Sequence, residues 1–273
     1  MVQSHKELHR NINNMKPIVK WSGGKKDEIK QFVDMFPQDI ETYGEPFFGG
    51  GAVFFHLKPD KSVVSDLHKE LIDFYISMKE GKGSDIYNFL NEHPNDEETY
   101  YKVRDDFKVE SILDNAKRFF YLRKTCFRGM LRYNKSGKFN IPFGRYKTYN
   151  FEELKNEEYK TVLSNTEILN KSFEHVFEKC NNPKDFIFLD PPYDSEFTDY
   201  GYCSFGKEEH RKLAECFKKS KARCMMVIGK TPFIEELYDG YIKKEYFKKY
   251  AFKIHSNRVG DEINTTHIVI TNY

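Results

Sequence analysis

Phe186-Ile187-Phe188-Leu189 reads as a short buried strand that runs into Asp190, Pro191, Pro192 and Tyr193. Pro191 and Pro192 have no N–H to give a ladder, so the strand must stop at the carboxylate. In an open α/β sheet, the carboxyl edge of a central strand is where ligand crevices form. A carboxylate and a backbone carbonyl held by proline can accept the two hydrogens of an exocyclic amine on a nucleobase. The amine's lone pair, otherwise delocalised into the ring, then becomes more available as attack proceeds. Tyr193 adds a ring face on which a base drawn out of its stack can rest. A stiff turn after a strand is the plainer explanation of these four residues, and it weakens once two further motifs are read beside them.

The first is YGEPFFGGGAVFF, residues 43–55, in which Gly49, Gly50 and Gly51 follow a strand-like lead-in and precede a helical start. Glycines there let the chain turn sharply and let a ligand approach the backbone at a helix N-terminus. The third glycine of a dinucleotide fingerprint would fall at Phe54, so a pyrophosphate is not the expected ligand. Asp66 ends the next expected strand, where a carboxylate can accept from ribose hydroxyls or cap the helix that starts at LHKEL. The second motif is KWSGGKK, residues 20–26, which contains the only tryptophan, Trp21. It fails as a phosphate-binding P-loop because Lys26 stands where Ser or Thr would bind magnesium.

These groups need a scaffold, and the hydrophobic periodicity supplies one. KKDEIKQFVDMF, LHKELIDFYISMKE and KEEHRKLAECFK have helical spacing, while SVVSD, FIFLD, CMMVIG and THIVITNY read as strands. Their alternation predicts an α/β sheet covered by helices. Residues from about 80 to 155 break that pattern with NDEETYYKVRDDF and ILDNAKRFFYLRKTCF, both helical. RYNKSGKFNIPFG follows, with NKSG as the turn of a β-hairpin. The expected division is therefore a discontinuous sheet domain, 15–76 and 158–273, interrupted by an inserted module, 77–157. From Asn115 to Phe151 there are ten Lys or Arg residues, ten aromatics and no Asp or Glu. Such a stretch suits a surface that faces phosphates, although the net charge of the chain is only +2.

At 273 residues with 39% hydrophobic and 16% aromatic content, the chain can bury a sizeable core. Nothing approaches the ~20 apolar residues of a membrane span, and MVQSHKELHRNINNMK lacks the apolar core of a signal peptide. The five cysteines are scattered, without a CxxC pair or zinc spacing, so reduced thiols and no metal are expected. The expected setting is the cytoplasm, at the nucleoid.

Taken in order, KWSGGK, EPFFGGGAVFF, SDLHKELIDFY, CFRGMLRYNKSGKFNIPFGRYK, DPPY, FTDYGYCSFGKEEHRKLAE and VITNY resemble the Dam-type, α-group (D12) DNA adenine-N6 methyltransferases over most of the chain. That resemblance implies a Rossmann-like class I methyltransferase sheet, mixed and mostly parallel, with an inserted DNA target-recognition module. It also implies S-adenosyl-L-methionine as cofactor and double-stranded DNA as partner. Cofactor binding would fall to Trp21, Gly23, Gly24, Lys25, Glu45, Pro46, Phe47, Gly49, Gly50, Gly51, Asp66 and Asp190. Asp190 to Tyr193 would be catalytic. DNA contacts would come from Phe127, Arg128, Met130, Arg132, Asn134, Lys138, Asn140, Pro142, Arg145 and Lys147, with Arg132 and the hairpin around Pro142 reading bases, GATC being the expected target. A monomer is expected, with a cognate restriction endonuclease acting on the same site as the functional counterpart.

The chain departs from the family at several positions. Arg128 and Arg123 replace common asparagines, Gly229-Lys230 stands for serine and asparagine, His267 replaces an acid, and the linker from Tyr193 to Phe197 is short. These bear on sequence specificity rather than on catalysis. Cytosine-C5 methylation is excluded because no proline precedes a cysteine, and zinc deamination because H-x-E with PCxxC is missing. Methylation of cytosine N4 or of adenine in RNA, and a catalytically silent DNA-binding regulator, are the alternative readings.

Overall fold

Phe186 and Phe188 point to one side of their strand and join the aromatic core that contains Phe32, Phe36, Tyr43 and Phe54. Ile187 and Leu189 point to the other, toward Val176, Leu213 and Phe217. This period of two, with both faces apolar, is what a central strand between two helical layers requires. The computed structural model describes residues 15–193, 205–249 and 264–273. Within them the sheet has seven strands: β1 (Tyr43–Glu45), β2 (Ser62–Ser65), β3 (Thr166–Leu169), β4 (Phe186–Leu189), β5 (Arg223–Gly229), β6 (Ile242–Lys249) and β7 (Asn264–Thr271). Their order is β3-β2-β1-β4-β5-β7-β6. The first five are parallel, and β7 lies antiparallel between β5 and β6. The mixed, mostly parallel α/β sheet expected from the sequence is thus present.

Helices α1 (Ala52–Leu57), α2 (Lys69–Lys79), α3 (Gly83–Glu92), α4 (Glu97–Tyr101), α5 (Ile112–Thr125), α6 (Glu157–Leu163), α7 (Glu174–Lys179), α8 (Lys207–Lys219) and α9 (Pro232–Leu237) surround it. KKDEIKQFVDMF forms two 3₁₀ turns, Ile29–Gln31 and Val33–Met35, and not the helix its periodicity predicts. Phe32 leaves the helical region between them, with φ −138° and ψ −3°. Both Phe32 and Phe36 are thereby seated on Phe188, the former stacked at 5.6 Å. Tertiary burial has overridden local propensity here. Glu97–Tyr101 continues into a single π turn, Lys102–Asp106.

The segment 77–157 shares its core with the sheet. Helix α2 runs through residue 77, and its Phe74 stacks on Phe120 of α5 at 5.0 Å with rings nearly parallel. The NKSG stretch makes its turn as expected, with Gly137 donating to the Asn134 carbonyl at 2.9 Å and Lys138 N–H to Asn134 Oδ1 at 2.9 Å. Around it the hairpin is held by two isolated bridges, Cys126 to Phe143 and Tyr133 to Phe139, not by a regular ladder.

Gly83 opens α3 where a Cβ would stand 2.0 Å from the Leu154 carbonyl oxygen. Backbone cannot rotate away as a side-chain tip can, so Gly83→Ala is expected to cost about 2 kcal/mol by overpacking. Urea denaturation, with an unchanged slope and a lower midpoint, measures it.

Candidate active site

The sheet reverses its winding between β1 and β4, which are neighbours although β2 and β3 intervene in sequence. Chains leave these two strands toward opposite faces, and their carboxyl ends open a crevice. A cavity of about 300 Å³ occupies it, at the lower end of the ~300–1,000 Å³ range of ligand pockets. Every residue expected to bind the cofactor lines this cavity: Trp21, Gly23, Gly24, Lys25, Glu45, Pro46, Phe47, Gly49, Gly50, Gly51, Asp66 and Asp190. Pro191, Pro192 and Tyr193 line it too.

The glycine turn owes its composition to Trp21. Gly49 has φ +48°, and a Cβ on it would approach the indole Cδ1 to 2.6 Å. Gly51, at φ +65°, precedes α1 and gives the chain its left-handed entry into the helix. Trp21 in turn lies edge-on to His68 at 5.4 Å, with the Arg123 guanidinium 5.6 Å from its ring centroid. Arg123 is buried and donates to the carbonyls of Lys20 and Gly129. Its departure from the family pattern therefore ties the KWSGGKK stretch to the turn before the hairpin.

Asp66 accepts from the Gly49 N–H with Oδ2 and from the His68 N–H with Oδ1, both at 2.9 Å. It is not the cap of α2. That cap is His68, whose Nδ1 accepts from Leu71 N–H at 3.1 Å. Burial pushes the Asp66 carboxyl up to about 6 against those two N–H bonds. Glu45 ends β1 and accepts from the Tyr43 hydroxyl at 2.7 Å. Burial raises it to about 8, opposed by the Tyr43 bond and reinforced by the charge of Asp190.

Asp190 follows β4 and meets the Lys25 ammonium in an ion pair. Lys25, only 1% exposed, also donates to Tyr193 Oη at 3.0 Å and to the Gly23 carbonyl at 3.1 Å. Burial raises the Asp190 carboxyl above its ordinary range, and Lys25 opposes that rise. The pair does not seal the site: the Asp190 side chain keeps 19% of its exposure. Its surroundings have the desolvation and charge partners typical of catalytic carboxylates.

Phe173 and Phe205 were without a role in the sequence. They form an aromatic corner with Phe47, at 5.8 and 5.5 Å from its centroid, and all three rings line the cavity. Only topology could have found Phe173, which stands in the loop after β3, at the same sheet edge.

The DNA-contact candidates do not reach the cavity. Phe127, Arg128, Arg132, Asn134, Lys138, Pro142, Arg145 and Lys147 are exposed, and Met130 and Asn140 half-buried. Arg132 is held flat by Asn140, its Nε donating to Oδ1 at 2.8 Å and Nη2 to the carbonyl at 3.2 Å. Arg145 is engaged with Glu97 at 3.1 Å. The loop linker expected to be short, Asp194 to Phe197, lies outside the described residues, as does Cys203. Among the described residues no group of three or more His, Cys, Asp or Glu could hold a metal, and no helix is long and apolar enough to cross a membrane.

A mostly parallel sheet with β7 inserted antiparallel between β5 and β6, and with a glycine turn and an acid at its switch point, is consistent with the Rossmann-like methyltransferase class of α/β proteins. The family model for D12 class N6 adenine-specific DNA methyltransferases matches residues 21–256, and the chain belongs to that family. It is 62% identical over 261 residues to the type II methyltransferase M.CviBI of Paramecium bursaria Chlorella virus NC1A, covering 95% of this chain and 100% of that protein. It is 33% identical to the type II methyltransferase M.MjaIII of Methanocaldococcus jannaschii, over 95% and 99% of the two chains. To the DNA adenine methylase of Haemophilus influenzae it is 29% identical, over 82% and 83%.

Glu45 yields a stability test. Its folded value of about 8 exceeds the ordinary 4.5, so its contribution is fully present below 4.5 and is lost as pH rises through 8. Glu45→Gln has no such loss, and its thermal midpoint is expected to gain on the native chain by several degrees between pH 5 and pH 9 in calorimetry.

Proposed function

We propose that the chain uses S-adenosyl-L-methionine to methylate N6 of an adenine flipped out of duplex DNA. The observation that carries this reading is the convergence of Asp190, Lys25 and Tyr193 on the cavity lined by the three glycines, Glu45 and Asp66. The residues fit the cofactor. Glu45 is buried and Asp66 half-buried, a cationic ligand would relieve the raised values of both carboxyls, and Asp66 stands where ribose hydroxyls are accepted. Phe47, Phe173 and Phe205 offer the apolar corner an adenine ring needs. When bound, the cofactor supplies a methyl group already activated by its sulfonium sulfur.

The protein's own work is positional and electrostatic. Tyr193 presents a ring on which the extracted base stacks, offsetting the few kcal/mol lost on leaving the duplex. Asp190 accepts from the exocyclic amine, and the carbonyl fixed between Pro191 and Pro192 takes its second hydrogen. A carboxyl raised by burial can also hold the proton that the amine sheds after transfer. For Asp190 to do so, Lys25 must share it, and the bonds of Lys25 to Tyr193 and Gly23 keep the ammonium in place meanwhile.

Residues 77–157 form the DNA target-recognition region in this reading, and 15–76 with 158–273 the catalytic part. Exposed Arg132, flattened by Asn140, presents a planar fork suited to a guanine edge, and GATC is the proposed target. A role in restriction–modification, opposite an endonuclease that cuts the same site, accords with type II methyltransferase relatives.

The test is labelled-cofactor transfer to unmodified duplex, with modified bases then located by sequencing. Asp190→Ala is expected to lower kcat by about 10³ or more while duplex affinity stays within about twofold, since the lost bonds are made at the reacting amine. Transfer that persists in that variant sinks the assigned role. Label recovered on cytosine sinks the adenine reading.

A further inference from the structure

Under Tyr193, away from the cavity, lies a second cluster of ionisable side chains that the reaction does not use directly. Glu28 is 4% exposed and donates its N–H to the Lys25 carbonyl at 2.8 Å, so it sits in the turn that carries Lys25. Its Oε2 accepts from the Tyr246 hydroxyl at 2.8 Å and meets His267 Nδ1 at 2.6 Å. Its Oε1 meets Lys248 Nζ at 2.9 Å. Burial alone would raise this carboxyl, but the His267 bond, the charge of Lys25 and the Lys248 bond prevail and hold it at about 2. His267, fully buried on β7, stands perpendicular to the Tyr193 ring, with centroids 5.5 Å apart and planes at 82°. Its partner across the ladder on β5 is Gly229, where a Cβ would lie 3.9 Å from Tyr193 Cδ2.

A buried carboxylate with charged partners rarely adds net stability over apolar residues of the same volume. Its geometry is what such a group contributes. Here that geometry touches two members of the site at once, the Lys25 turn through the backbone and Tyr193 through the imidazole. The departures at 229 and 267 make one unit, since the side-chain-free Gly229 and the ring of His267 together form the bed of Tyr193.

We propose that Glu28 and His267 are positioning residues: Glu28 fixes the imidazole of His267, which sets the tilt of Tyr193 beneath the extracted base. The inference rests on reading Tyr193 as the surface that receives that base.

The test uses the full chain and a duplex with 2-aminopurine in place of the target adenine. His267→Asn retains an N–H donor for Glu28 and removes the ring, while Glu28→Gln retains an acceptor and removes the charge. In the native protein, emission is expected to rise on binding and to remain partly quenched by stacking. His267→Asn is expected to increase emission a further ~2-fold or more and lower kcat at least ~10-fold, with KM for duplex and the thermal midpoint near native values. Glu28→Gln moves both readouts in the same direction by a smaller factor and carries the test if His267→Asn does not fold. In a Tyr193→Ala background, His267→Asn is expected to add less than ~2-fold to either loss, because both act through one ring. Native-like emission and kcat in both variants overturn the inference, as does an undiminished effect without Tyr193. An absence of any emission change in the native protein overturns base extraction itself, and this inference with it.

Discussion

Lys25 carries an ammonium into a place where only 1% of the residue sees solvent, and a charge so buried must find a partner for each of its three protons. It finds them in Asp190, Tyr193 Oη and the Gly23 carbonyl. One of these acceptors belongs to the KWSGGKK stretch, one follows β4, and one stands on the segment after the two prolines. Pulling them onto a single nitrogen fixes the relative position of chain segments some 165 residues apart. Isolated buried pairs of this kind add little to stability, so the gain lies in the placement of the three acceptors.

The rest of the cavity wall is set against that cation. Glu45 and Asp66 are desolvated acids with carboxyls raised to about 8 and about 6, and neither has a lysine or arginine among its bonded partners described above. A cation brought near these two carboxyls would favour their ionised forms. Another part of the lining, Phe47, Phe173 and Phe205, is apolar. A ligand that joins a cationic end to a flat aromatic end would meet both in one cavity.

Much of this was legible in the sequence because the site is built from short, contiguous motifs at strand ends. The strand Phe186–Leu189, the stop imposed by Pro191, the triple-glycine turn and Asp66 could each be read locally, and topology brought them together at the switch point. What could not be read depended on partners distant in sequence. KKDEIKQFVDMF has helical spacing, yet Phe32 and Phe36 must both reach Phe188, and the segment breaks into 3₁₀ turns to let them. Phe173 carries no signal of its own and acquires meaning only when β3 joins the sheet. Asp66 looked like a cap, but the backbone N–H groups of Gly49 and His68 claim both its oxygens. The basic stretch was legible as composition only. The burial of Arg123 against Trp21 and the exposure of Arg132 in the same run depend on the fold.

Why the hairpin stays fixed to the sheet can be argued from one imidazole. His68 Nδ1 accepts from Leu71 N–H, so its proton resides on Nε2 and is directed at Tyr133 Oη, 2.7 Å away. The Tyr133 hydroxyl must then donate onward, and Glu70 Oε2 receives it at 2.6 Å. Burial holds the His68 ring down to about 3, which keeps it neutral and the direction of donation single through the physiological range. The same residue donates its backbone N–H to Asp66, on the wall of the cavity. A hairpin that bears Arg132 beside Tyr133 is therefore joined to the loop on the cavity wall through a His68 ring that stays neutral across the physiological range, and the two cannot shift independently without breaking these bonds.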